Sequence, residues 1–416
     1  MATEPGLGIE AVNAYVGRLC VGVRDLFADR GLALDRFENL MMDEKSVNLP
    51  CEDAVTNAVN AAKPLVDAMT DDERERIELV VVGTESGLDF GKPLSTYVHE
   101  HLGLSRRCRS FEVKHACYGG TAALHTAAGL VAQSPVPGAK ALAIAADAPS
   151  KAARGTYWEP SEGAGGVAMV IGREPAVLDL DLGANGFHTY EVMDTARPSL
   201  DADLVDSDLS LMAYLSCVQA CVQNYCDRVP DTDVFETFDH LAFHTPFAGM
   251  VKGAHRALLR SQHAVAADRI AADFAERVAP SLHYPRRVGN LFSAALYLAL
   301  CSLVENAEFD RARRIGLFSY GSGCASEFYS GVVPADAARA VGPAPDRSVG
   351  ALLDERHSLT VAEYDDIADA DRRSFGVRSA TFDSGDFEPF FGKQFAGQGL
   401  LVLDRIDEFH REYRWT

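Results

Sequence analysis

The chain has 416 residues, enough for a substantial core, and its 47% hydrophobic and 24% charged content fits a globular protein. Its formal net charge of −21 argues against nucleic acid as the main partner, because phosphate binding needs a basic footprint. No apolar run reaches membrane-spanning length, and MATEPGLGIEAVNAYVG has no basic stretch leading into an apolar one, so a cytoplasmic protein without a membrane partner is expected.

In chain order, CEDAVTNAVNAAKPLVDAM (51–69) has helical spacing of small and apolar residues. IELVVVGTES (77–86) is an apolar strand that ends on a polar residue, Glu85. GGTAALHTAAGLVAQ (119–133) reads as a helix opening just after Cys117. ALAIAADAPS (141–150) and GVAMVIG (166–172) are strands, and LMAYLSCVQACVQNYCDRV (211–229) is a helix. DHLAFHTPF (239–247) is a strand reaching His244. NLFSAALYLALCSLVEN (290–306) is a helix opening at Asn290, and RIGLFSYGSG (314–323) is a strand running into Ser322. Residues 330–390 show weak periodicity and read as surface excursions before a last strand in FAGQGLLVLDRI (395–406). Strands alternating with helices predict an α/β protein. None of the nine cysteines forms a CxxC pair, and Cys217, Cys221 and Cys226 on the 211–229 helix read as buried thiols rather than metal ligands.

The chain also repeats its own order. In residues 1–172 a strand ends at Glu85, a helix opens at Cys117, a strand follows near 145, and a Gly-led strand closes the half. In residues 173–416 the corresponding places are His244, Asn290, a strand near 318, and FAGQGLLVLDRI. No linker separates the two, so they are expected to pack as one body around a shared site at the strand ends.

Cys117 taken locally is a packed thiol, a metal ligand or a nucleophile. A helix N-terminus would favour its thiolate, and Gly119 and Gly120 allow close backbone approach. Glu85 at a sheet rim would be partly desolvated, with a raised pKa suited to acid–base work. Asn290 reads as a helix cap, which is compatible with a ligand role. Cys, His, Asn and a carboxylate at such places fit acyl transfer coupled to carbon–carbon bond formation, where the carboxylate deprotonates the bound acyl group.

VGTESGLD, KHACYGGTAAL, FHTPFAGMVKGAH, GNLFSAALY and FSYGSGCASEF together resemble the 3-hydroxy-3-methylglutaryl-CoA synthase family of the thiolase superfamily. The resemblance implies the five-layer αβαβα thiolase fold with two pseudo-repeated halves, and a homodimer. It implies that Cys117 carries an acetyl group, Glu85 removes its methyl proton, and His244 with Asn290 binds the acceptor ketone. Tyr118 and Arg197 are further substrate-binding candidates, and the Cys117 and Ser322 N–H groups would face the thioester oxygen. No bound cofactor or metal is implied, since phosphopantetheine arrives on the substrate.

Two features depart from the primary-metabolism enzymes. Gly249 stands where those carry a lysine near the CoA region, and MDTARPSL keeps Arg197 without its usual aromatic neighbour. With DRFENLMMDEKSVNLPCED, they resemble the β-branching synthases of polyketide assembly lines, which use donor and acceptor acyl carrier proteins. The carrier proteins are acidic, so docking needs a local basic patch. Arg36 and Arg30 are the first candidates, followed by Arg106, Arg107, Arg256 and Arg260. The alternatives are a primary-metabolism synthase using acetyl-CoA and acetoacetyl-CoA, a ketoacyl or chalcone-type synthase, and a non-catalytic ketosynthase-like subunit.

Overall fold

A computed structural model describes residues 6–149, 153–199, 202–262, 265–374 and 378–416. Ser150, the last residue of the expected 141–150 strand, lies outside them. Strand Ile77–Gly83 pairs in parallel with Arg109–Val113 on one side and Lys140–Asp147 on the other. Lys140–Asp147 pairs antiparallel with Gly165–Gly172, which pairs antiparallel with Gly8–Tyr15. The second half repeats the order. His240–Phe243 runs parallel to Arg313–Gly321, which is antiparallel to Ala325–Val333, which is antiparallel to Leu178–Thr189. A short pairing of Gly8 and Ile9 with Asp179 and Leu178 joins the two sets into one nine-stranded sheet.

Alternation along the strands explains the layering. Leu79 and Val81 face a central cluster containing helices Gly119–Gln133 and Ala295–Asn306, while Val80 and Val82 face an outer cluster under helix Ala54–Asp67. In the second half Ile315 and Leu317 point to the central helices. Phe318 and Phe243 point to the outer helices Ser207–Arg228 and Ala248–Gln262. Both faces of each sheet half are therefore covered, which is why VVV and LAIAA runs are continuously apolar. The result is the helix–sheet–helix–sheet–helix stack of a thiolase fold. No helix among the described residues is long and apolar enough to cross a membrane.

Two expectations are corrected. The strand that closes the second half is Ala325–Val333, not FAGQGLLVLDRI. Leu401–Asp407 instead pairs with His410–Trp415 and Ala380–Thr381 in a separate three-stranded sheet. Residues 330–390 are also more than surface excursions. His357–Leu359 adds a strand to Leu19–Gly22, and Tyr364, Ile367 and Phe382 are buried in a common cluster with Phe391 and Leu403. Cys217 and Cys221 pack in the outer core, against the Cys324 sulfur at 3.7 Å and the Ser326 hydroxyl at 3.2 Å.

Candidate active site

The site begins with two glycines. A Cβ on Gly83, at the end of its strand, would lie 2.1 Å from the Gly119 carbonyl oxygen, and one on Gly120 would lie 2.2 Å from that of Ser293. Only bare backbone lets the strand end, the helix start and the 290–294 turn meet this closely. Their approach brings together Glu85, Cys117 and Asn290. The Cys117 thiol donates to Glu85 Oε2 at 3.5 Å. A cavity of about 500 Å³ is lined by Glu85, Cys117, Arg197, His244, Asn290 and Ser322.

Asp147 anchors this meeting point. It is fully buried at the end of its strand, and Oδ1 accepts from Thr84 Oγ1 at 2.8 Å and from the backbone of Glu85 and Ser86 at 2.8 and 3.1 Å. Its Oδ2 accepts from the Ser293 backbone at 3.0 Å and from the Ser293 hydroxyl. One carboxyl group thus ties the Glu85 loop of the first half to the turn after Asn290 in the second.

Burial, followed by the nearby Asp147 charge, pushes the Glu85 carboxyl up to about 7. Arg197 opposes this with Nη2 at 3.6 Å from Glu85 Oε1 and 3.3 Å from Asp203 Oδ2. Cys117 departs from expectation. It sits two residues ahead of the helix start, and burial together with the Glu85 and Asp147 charges pushes its thiol well above the usual value. Desolvation and two carboxyl groups outweigh the helix terminus, so sulfur rests as a thiol with a carboxyl acceptor. Burial also lowers His244 to about 3, which keeps the imidazole neutral, and its Nδ1 has no partner among the described residues. Tyr214 fixes the His244 backbone by donating to its carbonyl at 2.7 Å.

Asn290 does not open the long helix. It precedes the short turn Phe292–Ala294, and its Oδ1 accepts from Phe292 N at 2.8 Å. The carbonyl is used locally, so the amide NH₂ is the end left for the cavity. Tyr118 does not line the cavity: its hydroxyl donates to the buried Glu327 at 2.6 Å. Arg30 is also set apart from docking, because Glu159, Asp365 and Asp29 already hold its guanidinium. Arg36 is exposed on helix Leu34–Leu40, lies over the Tyr157 ring at 5.3 Å, and sits at the cavity mouth. Arg106, Arg107, Arg256 and Arg260 are exposed but outside the mouth. A Cβ on Gly249 would lie 1.7 Å from the Asn39 carbonyl oxygen, so the Leu34–Leu40 helix occupies the space a side chain would need there. No sequence motif marks Glu162, Lys45, Asp147 or Asp203: the first three meet partners far away in the chain, while Asp203 meets Arg197, only 6 residues before it.

Residues 6–176 match the hydroxymethylglutaryl-coenzyme A synthase N-terminal family, and residues 178–270 and 255–415 match its C-terminal family. The chain is 47% identical to the polyketide biosynthesis 3-hydroxy-3-methylglutaryl-ACP synthase PksG of Bacillus subtilis (strain 168), over 98% of this chain and 99% of that protein. It is 36% identical to a hydroxymethylglutaryl-CoA synthase of Enterococcus faecalis, over 86% and 90%. The curacin biosynthetic pathway HMG synthase, solved in complex with an acetyl donor-ACP, superposes with a TM-score of 0.94 at 47% identity, over 99% and 100%. The chain therefore belongs to the hydroxymethylglutaryl-CoA synthase family.

Proposed function

We propose that this protein is an HMG synthase of polyketide β-branching that takes acetyl from a donor acyl carrier protein and adds it to a β-ketoacyl acceptor carrier protein. One observation carries the chemistry: the Cys117 S–H rests on Glu85 in a cavity shared with His244. Sulfur attacks the acetyl thioester as its proton passes to Glu85, and the donor's phosphopantetheine thiol leaves protonated. Glu85, ionised again, removes a proton from the acetyl methyl. The carbanion carbon bonds to the acceptor's β-ketone carbon, and the ketone oxygen takes a proton as it becomes a hydroxyl. Neutral His244 and the Asn290 amide polarise that ketone by hydrogen bonding, and Arg197, with Nη2 3.6 Å from Glu85 Oε1, offers a buried Nε–H that has no partner among the described residues. The N–H groups of Cys117 and Ser322 hold the thioester oxygen. Water then cleaves the Cys117 thioester, leaving a carboxylate on the acceptor-bound product and the thiol free.

On this reading the halves 1–172 and 173–416 supply nucleophile and base on one side and acceptor binding on the other, and the protein acts as a homodimer with no bound cofactor. Similarity favours delivery by carrier protein: identity is 47% to the carrier-protein enzyme and 36% to the CoA enzyme. Gly249, closed under Asn39, and Arg36 at the mouth agree with it. The test compares acetyl-carrier protein with acetyl-CoA as donor, following the acetyl adduct by intact mass. Loading from carrier protein is expected to be faster by about tenfold or more, a difference of roughly 1.4 kcal/mol. Equal or faster loading from acetyl-CoA would restore the primary-metabolism reading.

A further inference from the structure

Three residues that line the cavity carry a buried side-chain nitrogen with no partner among the described residues: Arg197 Nε, His244 Nδ1 and Trp158 Nε1. The steps above use the first two residues and not the third. An indole N–H can only donate, and a buried donor left unmet is costly until a ligand satisfies it. Trp158 also sits on a pinned stretch of chain. Before it comes Tyr157, exposed at the cavity mouth with the Arg36 guanidinium over its ring at 5.3 Å. After it comes Glu159, 1% exposed, whose carboxylate accepts from Arg30 Nε and Nη2 at 3.1 Å each and from the Gly155 backbone at 2.7 Å. The Glu159 carbonyl accepts from Lys45 Nζ at 2.7 Å. The Trp158 carbonyl accepts from the Ser161 backbone at 3.0 Å and hydroxyl at 2.8 Å, and the Ser161 carbonyl accepts from Asn290 N at 2.8 Å. The chain thus runs from the mouth at Tyr157 to the Asn290 turn at Ser161, with Trp158 between them.

We infer that Trp158 is a specificity-determining residue whose indole N–H donates to an amide carbonyl of the phosphopantetheine arm, the one nearest the thioester. This rests on the reading that acetyl reaches Cys117 from such an arm. In the steps above the thioester oxygen already has the N–H groups of Cys117 and Ser322, and the acceptor ketone has His244 and Asn290. An amide carbonyl of the arm has no donor assigned, and it gives up water as it enters the cavity, so it needs one. Hydrogen bonding to the amide separates the arm from an alkyl chain of the same length, a distinction that apolar contact makes poorly. Both substrates bring the same arm, so Trp158 serves loading and condensation alike.

The test loads Cys117 from small thioesters and follows the acetyl adduct by intact mass. S-Acetyl-N-acetylcysteamine carries the amide, and S-pentyl thioacetate has methylenes in its place. Trp158→Phe keeps an aromatic ring and removes the N–H. The ratio of loading efficiencies, amide over alkyl, should fall by about three- to tenfold from wild type to Trp158→Phe, the worth of one hydrogen bond between neutral groups. An unchanged ratio overturns the proposal, whether both donors slow together or neither does. A second readout needs neither loading nor the Trp158→Phe protein. Trp158 and Trp415 are the only tryptophans, and Trp415 does not line the cavity. In Trp415→Phe enzyme the ultraviolet resonance Raman band of the indole N–H bend should shift on adding pantetheine, as the donor gains its acceptor. An unmoved band also overturns the proposal. Wild type that takes acetyl from neither thioester, nor from acetyl-carrier protein or acetyl-CoA, would defeat Cys117 as the acetyl carrier instead, and the Raman band would still decide the role of Trp158.

Discussion

At the residue scale, the thiol and the carboxyl are separable. Cys117→Ser should abolish the acetyl adduct in intact mass, whereas Glu85→Ala should still load acetyl, more slowly, and form no carbon–carbon bond. A serine that loads, or an alanine that condenses, reverses the assignment concerned. If Glu85 is the base, as proposed, it works only when ionised, and burial holds it at about 7. Condensation by acetyl-enzyme is therefore lost as pH falls through that value and gained above it. Arg197 lowers Glu85, so Arg197→Met should move this limb upward by about one pH unit, the lower end of the effect of an adjacent opposite charge. An unmoved limb would mean that Arg197 does not govern the base. Glu85, Cys117 and His244 stood out as candidates in the sequence because each sits in a local motif at a strand end or helix start, and all three line one cavity. The direction of the thiol shift was hidden, since it depends on burial and on Asp147, thirty residues downstream. Arg30 looked free for the same reason: the carboxylates that consume it, Glu159 and Asp365, are far away in the chain.

At the scale of elements, the Leu34–Leu40 helix matters more than its seven residues suggest. It brings Arg36 to the cavity mouth and closes on Gly249 at the start of the Ala248–Gln262 helix. Gly249→Ala forces a methyl group into the Asn39 carbonyl. It should cost about 1–3 kcal/mol in urea unfolding, the range for overpacking, and slow loading from carrier protein as the 34–40 helix is displaced. A neutral result would mean that the two helices slide apart without penalty. Arg36→Glu should raise the KM for acetyl-carrier protein by roughly tenfold, with the saturated loading rate kept and the effect weakened by salt. An unchanged KM would place docking elsewhere. The helix at 119–133 was legible to the residue, because its small-residue run is bounded by Gly119 and Ser134. Leu178–Thr189 was not: LDLDLGANGFHT carries two glycines and an asparagine, and its strand character comes from pairing with Ala325–Val333.

At the scale of the whole molecule, the duplication could be read because both halves bury their strands on two faces, which imposes the same run of apolar segments on each. The closing strand of the second half was misassigned because GLLVL (399–403) is a Gly-led apolar run like that of a central strand, and only long-range pairing separates the two. That terminal unit is bound to the first half. Asn60 exchanges hydrogen bonds with the Leu401 backbone at 3.1 and 2.8 Å. Asp53, which caps helix Ala54–Asp67 through Thr56, also accepts from Arg411 Nη1 at 3.0 Å and from the Tyr413 hydroxyl at 2.9 Å. Asp53 is 5% exposed, so its charge depends on partners more than three hundred residues away. Arg411→Leu should therefore cost about 3–5 kcal/mol in urea unfolding, the penalty for leaving a buried charge unpaired. Tyr413→Phe should cost about 1–3 kcal/mol for one lost hydrogen bond to a buried carboxylate. Neither residue lines the cavity, so the pH at which condensation rises should stay where Glu85 sets it while stability falls. A shifted pH limb with unchanged stability would mean that the C-terminal sheet acts on the site rather than on the fold.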